Sequence, residues 1–178
     1  MFIIFGGLPG TGKSTLASQV ADRLGGTYLR IDSIEQAIRS SDVLPEGGDV
    51  GAAGYLIAYR IAADNLRAGR VVVADSVNPL SITRQAYREV AEGAGVGYLE
   101  VEIVCTDAAT HRARVERRLP AVEGLTLPTW EQIKSRHYEA WDRPRLQIDT
   151  AAMSVDDAVE TIVAAFARLR AGHDLLDR

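Results

Sequence analysis

The sequence predicts an α/β domain built on a parallel sheet with helices on both faces. Two observations carry that expectation. Short apolar, β-branched runs alternate with longer segments of helical period along almost the whole chain, the pattern of a parallel sheet with crossover helices. A glycine-rich turn joins the first such run to the first helical segment.

The elements follow in order. Strand candidates are 2–5, 27–31, 71–75, 98–104 and 146–148, and helical stretches cover about 14–24, 33–40, 54–68, 81–91, 108–119, 130–141 and 155–171. Phe2–Phe5 is too short for a signal-peptide core and runs straight into the glycine turn, so it reads as a strand. Gly25, Gly26 and Gly69 stand just past helix ends, where a left-handed residue is cheapest as glycine. Ser154 with Asp157 three residues on reads as an acidic variant of the capping box. Ser40–Gly54, rich in Gly, Asp and Pro, reads as a mobile loop.

The bulk properties bound the class. With 178 residues the chain suits a single domain, 1–178. A formal net charge of −4 argues against a surface built to wrap nucleic acid. The single cysteine, Cys105, excludes an intrachain disulfide and fits a reducing, cytoplasmic compartment; it is expected to be a small buried hydrophobe. No apolar run reaches membrane-spanning length.

The glycine turn is GLPGTGKST, Gly7 to Thr15, which fits the phosphate-binding pattern G-x-x-x-x-G-K-[ST]. Between a strand and a helix N-terminus, its backbone N–H groups and the helix dipole both favour phosphate oxygens. Gly7, Leu8, Pro9, Gly10, Thr11, Gly12, Lys13, Ser14 and Thr15 are therefore expected to hold ATP or GTP. Lys13 should reach the β- and γ-phosphates, and the Ser14 hydroxyl should ligate Mg²⁺.

Ligands of open parallel sheets bind beyond the carboxyl ends of the strands, and two carboxylates close strands there. Asp75 is expected to serve the metal by holding a metal-bound water or Ser14. Asp32 opens Asp-Ser-Ile-Glu, itself a capping-box pattern, so it suits either a helix N-cap or a base that accepts the proton of an incoming hydroxyl. On the helix from Ala108, His111, Arg114, Arg117 and Arg118 fall at spacings of three and four. A loop from Pro120 to Pro128 and another helix follow, the shape of a lid spanning about 108–141 that would bring arginines to a transferring phosphoryl group. Trp130 and Trp141 would pack its second helix. Tyr55 and Tyr59 are either acceptor-pocket or core residues.

These motifs together resemble the AAA_33-type family of ATP-binding P-loop kinases, relatives of polynucleotide 5′-hydroxyl kinase domains and of chloramphenicol phosphotransferase. The resemblance runs from Met1 to about Met153. It implies a five-stranded sheet ordered 2-3-1-4-5 with a helical lid, Asp32 as the acceptor-activating aspartate, and Arg114 and Arg118 as lid arginines, with Arg117 in their place if the register slips. It also implies that the loop after the fifth strand, with Asp149 and Thr150, flanks the adenine. Where the polynucleotide kinases carry a substrate-binding arginine three residues past the aspartate, this chain has Glu35. The expected activity is transfer of the γ-phosphate of ATP, with Mg²⁺, to a hydroxyl of a small molecule held between Ser33–Ala37, the 40–54 loop and Asn78–Thr83. A polynucleotide 5′-hydroxyl kinase and a nucleotide switch or ATPase that transfers phosphate only to water are the alternatives.

Overall fold

A computed structural model describes residues 1–45 and 48–176, the last four by their backbone alone. Five parallel strands, β1 (Phe2–Gly6), β2 (Thr27–Arg30), β3 (Val72–Asp75), β4 (Tyr98–Val104) and β5 (Leu146–Asp149), form one sheet in the order β2-β3-β1-β4-β5. The helices are α1 (Lys13–Leu24), α2 (Ile31–Arg39), α3 (Ala53–Arg67), α4 (Ser81–Gly93), α5 (Ala108–Arg117), α6 (Trp130–Lys134) and α7 (Val155–Leu176). The sheet order is the one expected.

Side chains alternate across the central strand. Ile3 and Phe5 face a core completed by α1 and α7, with Leu16, Val20, Ile162 and Phe166. Phe2 and Ile4 face a second core completed by α3 and α4, with Ala58, Leu66, Tyr87 and Ala91. A strand apolar on both faces can sit only inside a covered sheet, and this places the β1 carboxyl end, with its glycine turn, at the middle of the ligand-binding edge. Tyr55 and Tyr59 belong to the second core: they pack with Tyr87, at ring centroid distances of 6.2 and 4.7 Å.

Helix termini follow local chemistry. Asp107 accepts from Thr110 N at the start of α5, Thr129 and Gln132 complete a capping box on α6, and Ser154 donates to Asp157 while accepting its backbone N–H.

Several boundaries differ from expectation. The fifth helix ends at Arg117, because Pro120 disfavours helix at Leu119 and its ring would clash with the Glu116 carbonyl. Arg118 is consequently extended and lies off the helix. The sixth helix stops at Lys134 rather than running to Trp141. Five residues further on, the fully buried Arg84 holds the backbone in a non-helical course, donating to Glu139 O (2.5 Å) and Ala140 O (3.0 Å). Trp141 does not pack a lid helix; its ring lies over Arg84 at 4.5 Å and against Gly6. Cys105 is half-exposed rather than buried, because β4 ends at Val104. Glu46 and Gly47, inside the loop expected to be mobile, lie outside the described residues.

A second buried arginine, Arg88, pairs with Glu100 at 2.9 Å across α4 and β4. Arg88→Met should strand a buried carboxylate and cost about 3 kcal/mol or more in chemical denaturation, whereas Arg88→Met combined with Glu100→Leu should cost less.

Candidate active site

The glycine turn needs glycine at its tight points. Gly7 has φ 139, and a Cβ there would sit 2.3 Å from the Ile103 carbonyl oxygen. Gly10 (φ 85) would meet Val115 at 2.4 Å. Both contacts bring the loop close to its surroundings, and Gly12, also left-handed, passes the chain into α1. The α5 helix braces the turn from outside: His111 Nε2 stands 2.9 Å from Pro9 O, with Trp130 edge-on to its ring.

Lys13 opens α1 and Asp75 closes β3 on the neighbouring strand. Their side chains meet at 2.5 Å, 8% and 1% exposed. Tyr28, on the far side of β3, donates to the other Asp75 oxygen at 2.6 Å. Burial pushes the Asp75 carboxyl up, but the Lys13 ammonium, aided by the Tyr28 and Ser14 hydroxyls, outweighs it and holds the group below its usual range. Burial and the Asp75 charge push the Tyr28 phenol well up, which keeps it a donor.

Asp32 sits within the first turn of α2, behind an N-cap residue, Arg30, that makes no side-chain cap bond. The capping role is thereby removed: the helix begins two residues too early for Asp32 to cap it. Its carboxylate instead faces a cavity of about 660 Å³, half-exposed, with Arg30 Nη2 at 3.3 Å.

That cavity is the space above the strand ends. The glycine turn with Lys13 and Ser14 lines one side, Arg30 and Asp32 another, and Leu119, Ala121, Leu125, Thr126, Leu127 and Pro128 form its cover. The cover is irregular chain rather than helix. Its Gly124 lies against the Gln36 amide of α2, so the loop reaches across the cavity from the α5 side to the α2 side.

The arginines divide. Arg114 is tethered, donating to Thr150 Oγ1 (2.8 Å) and Thr150 O (3.0 Å), while Thr150 Oγ1 donates to Thr11 O at 2.7 Å. Arg114 thus links α5 to the turn through the loop after β5. Arg117 and Arg118 both line the cavity, and Arg118 donates to Pro128 O at 3.1 Å. Asp149 does not join them: its carboxylate accepts from Thr106 and from Ala151 N, closing the loop after β5. The predicted acceptor walls also move. Asn78 is fully buried, its N–H donating to the Tyr55 hydroxyl, and among the described residues none of 33–37, 40–54 and 78–83 lines the cavity.

Among the described residues no group of three His, Cys, Asp or Glu side chains could hold a metal. The donors present are the Ser14 hydroxyl and Asp75, whose two oxygens already serve Lys13 and Tyr28. That set suits a Mg²⁺ ion that takes most of its ligands from phosphates and water, with Ser14 on the metal and Asp75 behind it.

The sequence does not single out Tyr28, Arg30 or His111 for these roles. Arg30 carried the one legible signal, since it stands at a strand end two residues before Asp32.

A family model described as AAA domain, AAA_33, matches residues 2–140. A protein of Aeropyrum pernix named "Probable adenylyl-sulfate kinase" is 26% identical over 164 residues, covering 86% of this chain and 85% of its own. The APS kinase of Mycobacterium tuberculosis, solved with AMPPNP and APS, superposes with a TM-score of 0.69 at 23% identity, over 93% of this chain and 96% of that one. A gluconokinase from Sinorhizobium meliloti 1021 gives 0.68 at 19% identity, over 99% and 97%.

Proposed function

The chain belongs to the AAA_33 family, and on that premise we propose that it is an ATP- and Mg²⁺-dependent kinase that phosphorylates a hydroxyl of a small molecule. One observation carries the reading: among the described residues Asp32 is the only carboxylate that lines the covered cavity, and it shares that cavity with the phosphate-binding turn, Lys13 and Ser14. Hydrolysis by a switch needs no such group on a second wall. The names of the matching kinases support the same class.

Asp32 accepts the hydroxyl proton as the acceptor oxygen attacks the γ-phosphorus. The bond from phosphorus to the bridging β,γ-oxygen breaks, and ADP leaves with that electron pair. Lys13 leaves Asp75 to meet the phosphate oxygens, and the arginines at the end of α5, Arg118 or Arg117, neutralise charge on the phosphoryl group. Ser14, with Asp75 behind it, would hold a magnesium ion, which would supply further charge neutralisation on the phosphates. The 119–128 loop excludes water, so that phosphate passes to the acceptor and not to solvent.

Incubation with γ-labelled ATP and Mg²⁺ tests the reading. Hydrolysis alone should be slow, and a suitable hydroxyl compound should raise turnover and carry the label. Arg118→Ala should lower turnover far more than ATP affinity, the mark of a contact made in the transition state. A non-hydrolysable ATP analogue should increase amide-exchange protection over 119–128. Label found only in inorganic phosphate across a broad acceptor panel, with rates raised by a protein partner, would make the chain an ATPase.

A further inference from the structure

We propose that the acceptor is a small hydroxylated anion, its acid group received by Arg136 while its hydroxyl lies at Asp32; this rests on the kinase reading above and names the substrate class of the same site.

Charge is the first reason. Six cationic side chains line the cavity (Lys13, Arg30, Arg114, Arg117, Arg118 and Arg136), against Asp32 on its wall and Asp75 beneath it. The difference is four positive charges, in a chain whose net charge is −4. A magnesium-bound nucleoside triphosphate brings about two negative charges, which leaves the filled nucleotide site still positive. A neutral alcohol would leave that excess to solvent and counterions at the exposed Arg114, Arg117 and Arg136. An anionic acceptor balances it.

Position singles out Arg136. Lys13 and Arg30 are engaged with Asp75 and Asp32, and Arg114 is tied to Thr150. Arg117 ends α5, on the side of the turn, and Arg118, just past the helix, is tied to Pro128 O. Arg136 comes from the opposite direction, and its electrostatic neighbours are Glu35 of α2 and Tyr55 of α3. Glu35 is itself paired with Arg39 at 3.5 Å. Among the described residues Arg136 makes no ion pair, although it lines the cavity on the α2 side, where Asp32 stands.

The backbone under Arg136 is held. Its N–H donates to Ile133 O at 3.2 Å, and Ile133 is buried. Three residues later, Glu139 and Ala140 are gripped by Arg84, and the Glu139 carboxylate accepts from Ser81 N at 2.6 Å. An arginine on such a support loses less freedom when it binds an acid group in its planar fork. The cover decides size. Gly124 meets Gln36 across the cavity, and a space so bridged suits a metabolite-sized acid better than a polymer.

The test uses the full chain with its nucleotide site filled by Mg²⁺ and AMPPNP, and inorganic sulfate as the probe, titrated calorimetrically at constant ionic strength. One saturable sulfate site is expected. Arg136→Gln should weaken it by about tenfold or more, the worth of a lost charge-assisted contact. Arg112→Gln, which removes an equal charge from the outer face of α5 where Arg112 pairs with Glu116, should leave it within about twofold. No saturable site, or equal weakening in both variants, or none in Arg136→Gln, would mean an adventitious ion only and overturn the proposal. In the transfer assay, hydroxy acids should be phosphorylated in preference to their neutral amides, and Arg136→Gln should raise KM for the acid while retaining kcat. Transfer to neutral alcohols without a sulfate site would leave the kinase reading standing and remove the anionic acceptor. A sulfate site of the expected behaviour without transfer to any acceptor would do the reverse. A 5′-hydroxyl oligonucleotide that displaces sulfate and is preferred to small acids would assign the site to nucleic acid and overturn the small acceptor.

Discussion

Lys13→Ala is expected to lower phosphoryl transfer by about 10²- to 10³-fold or more, since it removes a charge aimed at the phosphate oxygens where negative charge develops. The structure adds a second effect. In the nucleotide-free protein Lys13 neutralises Asp75, a carboxylate 1% exposed, and removal of one partner of a buried pair typically costs about 3–5 kcal/mol. Lys13→Ala should therefore melt lower even without ATP. Lys13→Ala combined with Asp75→Asn should recover part of that loss while remaining inactive. The sign with pH follows from the lowered Asp75 pKa: its contribution is fully present above the ordinary carboxylate value and is lost as pH falls through the lowered one. The stability gap between wild type and Asp75→Asn should then close in acid. Near-normal turnover by Lys13→Ala would remove the phosphate-binding assignment, and an unchanged melting temperature would mean that the Lys13–Asp75 contact does not stabilise the free protein.

Asp32→Asn is expected to reduce transfer to the acceptor by about 10²- to 10⁴-fold, the usual worth of a positioned general base. ATP affinity should hardly change, because the nucleotide is bound on the opposite wall. Stability distinguishes this from the capping role that Asp-Ser-Ile-Glu suggests. A lost N-cap would cost about 1 kcal/mol; here Asp32 lies inside the helix and makes no cap bond. Only its charge near the helix N-terminus and its contact with Arg30 are lost, at most about 1 kcal/mol combined, most of it screened at this half-exposed position. Equal transfer by the variant, with a melting temperature lowered instead, would return Asp32 to a structural role.

Much of the fold and half of the candidate site were legible along the chain. Five strands, the phosphate-binding turn, the two carboxylates at strand ends and the arginine-bearing helix all depend on neighbours within a few residues: the β-branched run, the glycines, the capping side chains. Such features are set by steric and hydrogen-bond preferences of short segments, and they appear in the structure with boundaries shifted by a residue or two. The sheet order came with the family resemblance rather than from the runs themselves.

What the tertiary structure alone decided rests on contacts between distant parts of the chain. Arg84 reads as an ordinary helical arginine, yet it is fully buried and takes the carbonyls of residues 55 and 56 positions later. That contact sets the guanidinium over the Trp141 ring and holds the segment behind Arg136. Tyr28 acquires its role only because β2 lies beside β3, which brings its hydroxyl to Asp75, 47 residues away. The acceptor walls were misplaced for the same reason: burial of Asn78 under Tyr55 withdrew one expected wall, and the 119–128 loop supplied another from across the sheet. Local preference determines which segments form strands, turns and helices. Which side chains share a cavity is determined by burial and by hydrogen bonds that buried charges require, and those partners have no fixed spacing in the sequence.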